Sequence, residues 1–482
     1  MKKKIFAVLL IMALLASVLS ACGSGQQPAA NTQAPAATAA PAADQPAAPV
    51  AEPAAEPEGG LAPLTTEKIS LRYAYWGQHE KGEPEVTAAQ KAAFEQKYPN
   101  ISIEFLQIEQ AQWDEALTNF AATGMLPDVF GVFSVSNAVM NEWALPLDEY
   151  FDADPDTAEL APAFATNAKV GGKRYSVPWV MFPHLVFVNE TLFEKYNVAL
   201  PGYNWTVDEF FTLATTLGHG EDFNFGMSNP LFEDFFPAWY NGGQGKWGWD
   251  GENYNFDQVW ADSLNKKWEL IEANICEWES AEDKERFLGS ADAWPPGFGR
   301  SAIHFDWPWT IAMFEDTVPA QSGCSFLYYP LPVGPTGDQL VIVDNAVVGA
   351  ATKYPREAWQ LLKETTWGKD ANLIRQQAYR DAGADVSRMP VTTNAEVWQD
   401  LIDNARNDNF KQLFQALQSQ SDGFVPSNWP VSPGWGDIEA WINEQDIYGK
   451  IERHEINPSD VAAELNAKAK ELKDAWIANM PQ

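Results

Sequence analysis

Among the side chains of this 482-residue sequence that could do chemistry, the indoles stand out: there are 21 tryptophans, with 14 tyrosines and 27 phenylalanines. Many must fill cores. Yet Trp76, Trp179, Trp239, Trp247, Trp249, Trp307, Trp309, Trp429 and Trp435 fall in Gly-, Pro- or Asn-rich stretches that read as loops. A large ring on a loop has little regular structure to pack against. It offers an apolar face and one hydrogen-bond donor at its edge. Nearby stretches supply Gln78, Glu80, Gln112, Asp128, Ser136 and Asp306, which can exchange hydrogen bonds with hydroxyls. That mixture suits a ligand with flat apolar faces and polar edges, and a pyranose is one. The residues point to binding rather than to covalent chemistry. There is no G-x-S-x-G, no H-E-x-x-H and no dinucleotide fingerprint. The 66 acids always offer carboxylate pairs, so such pairs decide nothing.

The formal charge is -34. Such a surface repels nucleic acid and anionic lipid, so neither is an expected partner. It is compatible with a neutral or cationic ligand. The run Asp152-Ala153-Asp154-Pro155-Asp156 has the alternating carboxylates of a calcium loop. It lacks glycine at the sixth place and glutamate at the twelfth, so it reads as a solvated acidic turn. The five histidines form no cluster of metal-site spacing, and neither metal nor cofactor is expected. Cys276 and Cys324 could pair or stay as buried thiols, and two positions do not decide which.

The amino terminus carries a second kind of chemistry. Lys2, Lys3 and Lys4 precede an apolar run, Ile5 to Leu19, which ends in Leu19-Ser20-Ala21-Cys22. Positive, apolar and small residues in that order make a secretory signal, and the run is too short to span a bilayer comfortably. The small residues before Cys22 resemble a bacterial lipobox. That resemblance implies cleavage after residue 21, lipid on the Cys22 thiol, and an extracytoplasmic protein held to the membrane. From Cys22 to about residue 65 the chain is mostly Ala, Pro, Gln and Gly, which cannot build a core. It reads as a disordered tether, with a limit on the order of 130 Å if fully extended.

The remaining body is long enough for two lobes with separate cores. Ile69, Leu71, Tyr73 and Tyr75 alternate as a half-buried strand does, and a helix from about Glu85 to Lys97 follows. Ile101, Ile103 and Phe105 alternate again. This βαβ pattern implies a parallel sheet with a right-handed crossover. A helix is expected from about Gln112 to Thr123, a strand at Val129–Val132 and a short helix at Val139–Trp143. Ligands sit at the carboxyl ends of strands in open α/β sheets, which is where the loops at Trp76–Glu80, Gln107–Trp113 and Ser134–Asn137 fall. Farther on, Gly171-Gly172 reads as a hairpin turn and Leu185–Asn189 as a strand. Thr206-Val207-Asp208-Glu209 reads as a capping box, and 459–479 as a final amphipathic helix.

Taken in order, several segments resemble the extracellular solute-binding proteins of bacterial sugar ABC importers, family 1, the group that includes the maltose-binding proteins. They are Phe94–Ile101, Gly124–Val129, Leu145–Asp148, Gly172–Pro178, Asn189–Lys195, Asn204–Phe210, Trp307–Trp309, Pro330–Pro335 and Ala358–Lys363. The resemblance implies an α/β, two-lobed periplasmic-binding-protein-like fold (type II) with a ligand cleft between hinged lobes. One lobe would hold 66–181 and 345–392, the other 184–342 and 395–482, with crossings near Pro178–Leu185 and Val341–Asn345. It implies a carbohydrate ligand, ABC permease subunits as partners and a monomeric state. The family's second-lobe aromatics map onto Phe232, Trp239 and Tyr240, its Pro-Trp platform onto Pro308-Trp309, and its late tryptophan onto Trp435 or Trp429. The chain departs from the family at Asp306-Trp307, where a small residue and glycine are usual. Two other classes stay open at this point: a secreted carbohydrate-active hydrolase or lyase, and a glycan-binding adhesin.

Overall fold

A computed structural model describes residues 60–167, 169–278, 280–427 and 431–481. Cys22, the expected signal segment, the tether up to residue 59 and Trp429 lie outside the described residues. Residues 60–65, expected to belong to the tether, instead rest on the body, where Arg356 donates to the Ala62 carbonyl at 2.7 Å and the Thr65 N–H donates to Glu357 at 2.6 Å. Strand β1 (Ile69–Ala74) buries Leu71 and Tyr73 on one face. Helix α1 (Glu83–Lys97) opens with Pro84 in its first turn and buries Val86 and Phe94. Proline suits that position because its missing N–H has no partner there anyway. Strand β2 (Ile101–Phe105) runs parallel to β1, with Ile69 opposite Ile101. Helix α2 (Trp113–Ala122) leads to β3 (Val129–Val132), which is parallel to β1 on its other side. The parallel order expected from the sequence is therefore present. The next helix, α3 (Val135–Met140), starts earlier than the expected Val139–Trp143 because Ser134 caps it, accepting from the Asn137 N–H. Trp143 lies beyond its end.

The hairpin β4 (Lys169–Val170) and β5 (Lys173–Arg174) turns on Gly171 and Gly172, at φ 59° and 83°. Two positive φ values in succession suit glycine. Strand β6 (Val177–Pro183) is buried along its whole length and passes through His184 directly into β7 (Leu185–Asn189). Helix α4 (Val207–Leu217) has the expected capping box between Thr206 and Glu209. Strand β8 (Phe225–Ser228), helices α5 (Phe232–Asn241), α6 (Gln258–Glu272) and α7 (Ala281–Leu288), strand β9 (Ser301–Asp306) and strand β10 (Phe326–Pro330) complete a second α/β region. The chain returns through residues 331–338 to β11 (Gln339–Val348), a single long strand that pairs antiparallel with both β3 and β6. The division expected at 342 and 345 thus falls inside one continuous strand. Helices α8 (Pro355–Thr365), α9 (Lys369–Asp381) and α10 (Asp408–Ser419), strand β12 (Phe424–Pro426), and helices α11 (Trp435–Glu444) and α12 (Pro458–Ala478) follow.

Two main sheets result. One runs β12-β11-β3-β1-β2 with β6 also on β11; the other runs β10-β7-β9-β8. Each carries an apolar core. A third core joins Trp247, Trp249, Tyr254, Phe256 and Trp260 to Ile438, Ile442, Leu465 and Ala469 of the carboxyl-terminal helices. Gly243-Gln244-Gly245-Lys246-Trp247-Gly248 has G-x-G-x-x-G spacing, but it follows a helix and leads only into a short 3-10 turn. Among the described residues no helix is long and apolar enough to cross a membrane.

One reading of the sequence needs correction, and one alternative it left open is decided. Asp154 is not solvated: it is 2% exposed and accepts hydrogen bonds from the Trp359 indole at 3.0 Å and from Lys363 at 2.9 Å. The same Lys363 ammonium also pairs with Asp156, so it bridges two carboxylates of the run. Cys276 and Cys324 are separate buried thiols, with no disulfide between them.

Candidate ligand cleft

Strands β1 and β3 are parallel, so their carboxyl ends lie at one edge of the first sheet. Because β11 runs against β3 with Asn345 opposite Val132, Asp344 comes to the same edge. Trp76 ends β1. It stacks on Phe133 at 4.3 Å and meets Trp113 and Trp179 edge-on at 5.3 and 5.8 Å. It is 4% exposed, so it serves as a wall more than as an open face.

Behind this edge lies a buried charge cluster. Glu83, which is fully enclosed, has Arg388 Nε at 2.8 Å and Arg375 Nη1 at 3.3 Å from Oε1. Tyr75 donates to Oε2 at 2.6 Å, and Tyr379 donates to Oε1. Arg388 reaches further, to Glu80 at 2.7 Å and to within 4.0 Å of Asp344. Gly77 makes this possible: with φ 86°, a Cβ there would stand 1.9 Å from Arg388 Nη2. Burial pushes the Glu83 carboxyl up, but Arg388, Arg375 and the two tyrosine hydroxyls outweigh it and hold the group below its ordinary value. Burial raises Glu80 despite Arg388. Asp344 is pushed up to about 7 by burial, with Glu80 adding to the shift and Arg388 and a hydrogen bond from Trp76 opposing it.

That last shift has a consequence for stability. A carboxyl raised in the folded state holds its proton more tightly folded than unfolded. Its ionisation therefore costs stability as pH climbs from the unfolded value of about 3.9 towards 7. Asp344→Asn cannot ionise. It should melt above the parent at pH 8 and at the parent's temperature near pH 4 in thermal scans. A gain of equal size at both pH values would show that packing, not charge, is responsible.

The second sheet contributes the end of β9. Asp306 is 6% exposed and committed: Oδ1 accepts the Trp307 N–H at 2.9 Å, and Oδ2 lies 3.1 Å from His304 Nε2. His304 Nδ1 lies 2.7 Å from Ser228 Oγ. The residue types are those of an acyl-transfer triad, but the arrangement differs. The hydroxyl meets Nδ1, the carboxylate takes Nε2, and Ser228 is 1% exposed. The array anchors Asp306 and, through it, the start of the Trp307-Pro308-Trp309 turn. The two indoles of that turn lie parallel, 5.2 Å apart at 8°, and Trp309 is 43% exposed. Trp309 meets Phe182 of β6 edge-on at 4.9 Å, and Arg388 lies 5.5 Å over the same Phe182 ring. One ring therefore separates Trp309 from the charge cluster of the first sheet. His184, in the passage between the sheets, is 5.4 Å from Trp307, and burial depresses it to about 3, so it is neutral.

Among the described residues, buried polar atoms around this edge that have no hydrogen-bond partner include Gln78 Nε2, Trp179 Nε1, Asp344 Oδ2, His184 Nδ1 and Trp307 Nε1. Leaving such groups unpaired costs about 1–3 kcal/mol each, which is a usual mark of a site completed by a ligand or ordered water.

The other residues singled out in the sequence fall as follows. Gln78 also accepts from Thr87, and Gln112 is exposed in a short turn before α2. Asp128 sits at the start of β3, where it accepts from the Arg72 N–H at 2.7 Å and from Thr352 at 2.5 Å; it ties strands together at the end away from Trp76. Ser136 is buried and donates to the Val431 carbonyl at 2.9 Å. Phe232 and Trp239 are enclosed in the second core, while Tyr240 is 40% exposed. Trp435 begins α11 and stacks on Trp247 at 4.3 Å. Phe182, His184, Asp344 and Arg388 were not anticipated. Nothing local marks them, because they reach the edge from three separate chain segments.

A sheet edge lined by indoles and underpaired polar groups, beside a direct passage into a second sheet, defines a two-lobed binding protein. The family model of the bacterial extracellular solute-binding proteins matches residues 76–365, and the chain belongs to that family. Solved relatives share the two-lobed fold. An ABC substrate-binding protein of Listeria monocytogenes, in complex with cycloalternan, is 19% identical; the match covers 84% of this chain and 99% of that one at a TM-score of 0.61. A sugar transporter protein of Rhizobium etli in an open conformation is 16% identical over 83% of this chain and 99% of its own, at 0.64. A protein of Brucella abortus named as a binding protein is 23% identical over 406 residues, 79% of this chain and 87% of that protein.

Proposed function

We propose that this solute-binding protein captures a carbohydrate between its lobes and delivers it to the permease of an ABC importer, while lipid on Cys22 holds it at the membrane. The observation that carries the reading is the parallel Trp307–Trp309 pair, one ring away from Arg388, whose neighbour Asp344 at 4.0 Å keeps one oxygen, Oδ2, without a hydrogen-bond donor. Indole faces suit the apolar face of a sugar ring, and the unpaired groups suit its hydroxyls. Similar proteins solved with cycloalternan and with maltotetraose support the ligand class. We place the moving lobes much as the sequence suggests, 66–181 with 345–392 and 184–342 with 395–482. Two changes follow from the sheet order: β11 stays whole with the first lobe, and β12, which pairs with it, goes with it. Closure would turn about His184 and residues 331–338. A ligand that touches both lobes favours the closed form by its differential affinity.

Calorimetry and thermal shift against a panel of mono- and oligosaccharides test the reading. A ligand at 100 times its Kd should add about 2.7 kcal/mol to stability, and it should be recovered intact. A panel in which no member binds would overturn the carbohydrate reading. Accumulating reducing ends would instead favour the hydrolase class. For the anchor, Cys22→Ser is expected to move the protein from the membrane fraction to the soluble one. Retention through a carbonate wash would contradict lipidation.

A further inference from the structure

Three tryptophans are substantially exposed among the described residues: Trp278 at 51%, Trp309 at 43% and Trp294 at 39%. They are not scattered. Trp309 stacks on Trp307, and Trp307 is part of the lining of a groove of about 590 Å³ that also holds Trp278 and Trp294. The groove lies over the ends of β8 and β9, with Ser228, His304 and Asp306 beneath it. Trp294 meets the His304 ring edge-on at 5.3 Å, so the buried array under the groove also fixes that indole. Lys267 lies 5.0 Å over the Trp278 ring, and Lys284 stands on the same rim. Exposed indoles in a soluble protein are costly unless something covers them, and contiguous ones mark a binding surface.

We infer that this groove is a second stacking subsite, continuous with the Trp307–Trp309 face. It takes the far units of an oligosaccharide of at least three sugars, with the two ammonium groups donating to its hydroxyls. The inference rests on the carbohydrate reading above and goes further, because it assigns a minimum length and a direction to the ligand. The volume is in the range of roughly 300–1,000 Å³ typical of small-molecule sites, enough for more than one ring. Asp306 and Trp307, at the end of β9, line the groove and form the step between the two faces.

The test uses the full chain and several linkage series of oligosaccharides, each from two to six units, titrated by calorimetry. In the best-binding series the parent should gain roughly tenfold or more in affinity between two and four units, as one further stacked ring predicts. In Trp278→Ala and in Trp294→Ala the ratio of tetrasaccharide to disaccharide affinity should fall towards one. Cooperative melting of each variant confirms that it is folded, and Trp278, the more exposed of the two, is the safer site. If affinity is flat with length, or if both folded variants keep the parent's ratio, the groove is not a subsite and the cleft reading stands. If no saccharide binds the parent, both readings fall together.

Discussion

Glu83→Gln is expected to be the most damaging single substitution in the first lobe, costing roughly 3–5 kcal/mol, the usual loss when one member of a buried ion cluster is removed. Arg375 and Arg388 are 2% and 1% exposed, and Glu83 is the carboxylate they share. A guanidinium cannot shed its proton, so the variant must keep two buried cations with their central counter-ion gone. Arg375→Met should cost less, because Glu83 retains Arg388 and can take up a proton. The pH dependence separates charge from packing. Glu83 is held below its ordinary value, so its contribution is full above about pH 4.3 and is lost as pH falls through the lower folded value. The parent should therefore lose stability in acid along a limb that Glu83→Gln lacks. Apparent melting temperatures from pH 3 to 8 read this directly. Equal melting of variant and parent at pH 7 would show that the cluster contributes nothing.

Trp309→Ala should weaken ligand binding roughly tenfold or more while leaving the melting temperature of the free protein near the parent's. The ring is 43% exposed, and its ring contacts are Trp307 of its own turn, parallel at 5.2 Å, and Phe182, edge-on at 4.9 Å. It thus contributes little to the folded body, yet an aromatic stack is worth on the order of 1–3 kcal/mol to a ligand. Trp435→Ala is the useful contrast. One face of that indole lies against Trp247 at 4.3 Å, within the core built by the carboxyl-terminal helices. Its removal should lower the melting temperature, and any effect on affinity measures what the remaining face does. Calorimetry in which Trp309→Ala binds like the parent would move the stacking face elsewhere.

The local signals of this chain were legible because their causes are local. Alternation in Ile69–Tyr75 and Ile101–Phe105, the capping box at Thr206 and the paired glycines at Gly171-Gly172 each act within a few residues, and each element formed as expected. The ordered motifs also carried the family. Burial was not legible in the same way. Trp76, Trp179, Trp239, Trp247 and Trp249 all sit among loop-forming residues, but each is at most 4% exposed. A flexible stretch says nothing about what will later pack on it; helices more than 170 residues downstream close over Trp247 and Trp249. Asp154 was misread for the same reason, since Lys363 comes to it from 209 positions away. The sequence by itself determined the α/β elements and the binding class. Only the tertiary structure decided which indoles kept an open face and which charges met beneath the cleft. Glu83, Asp344, Arg375 and Arg388 lie on separate elements, and a carboxylate carries no local mark of a guanidinium that folding brings from almost 300 residues away.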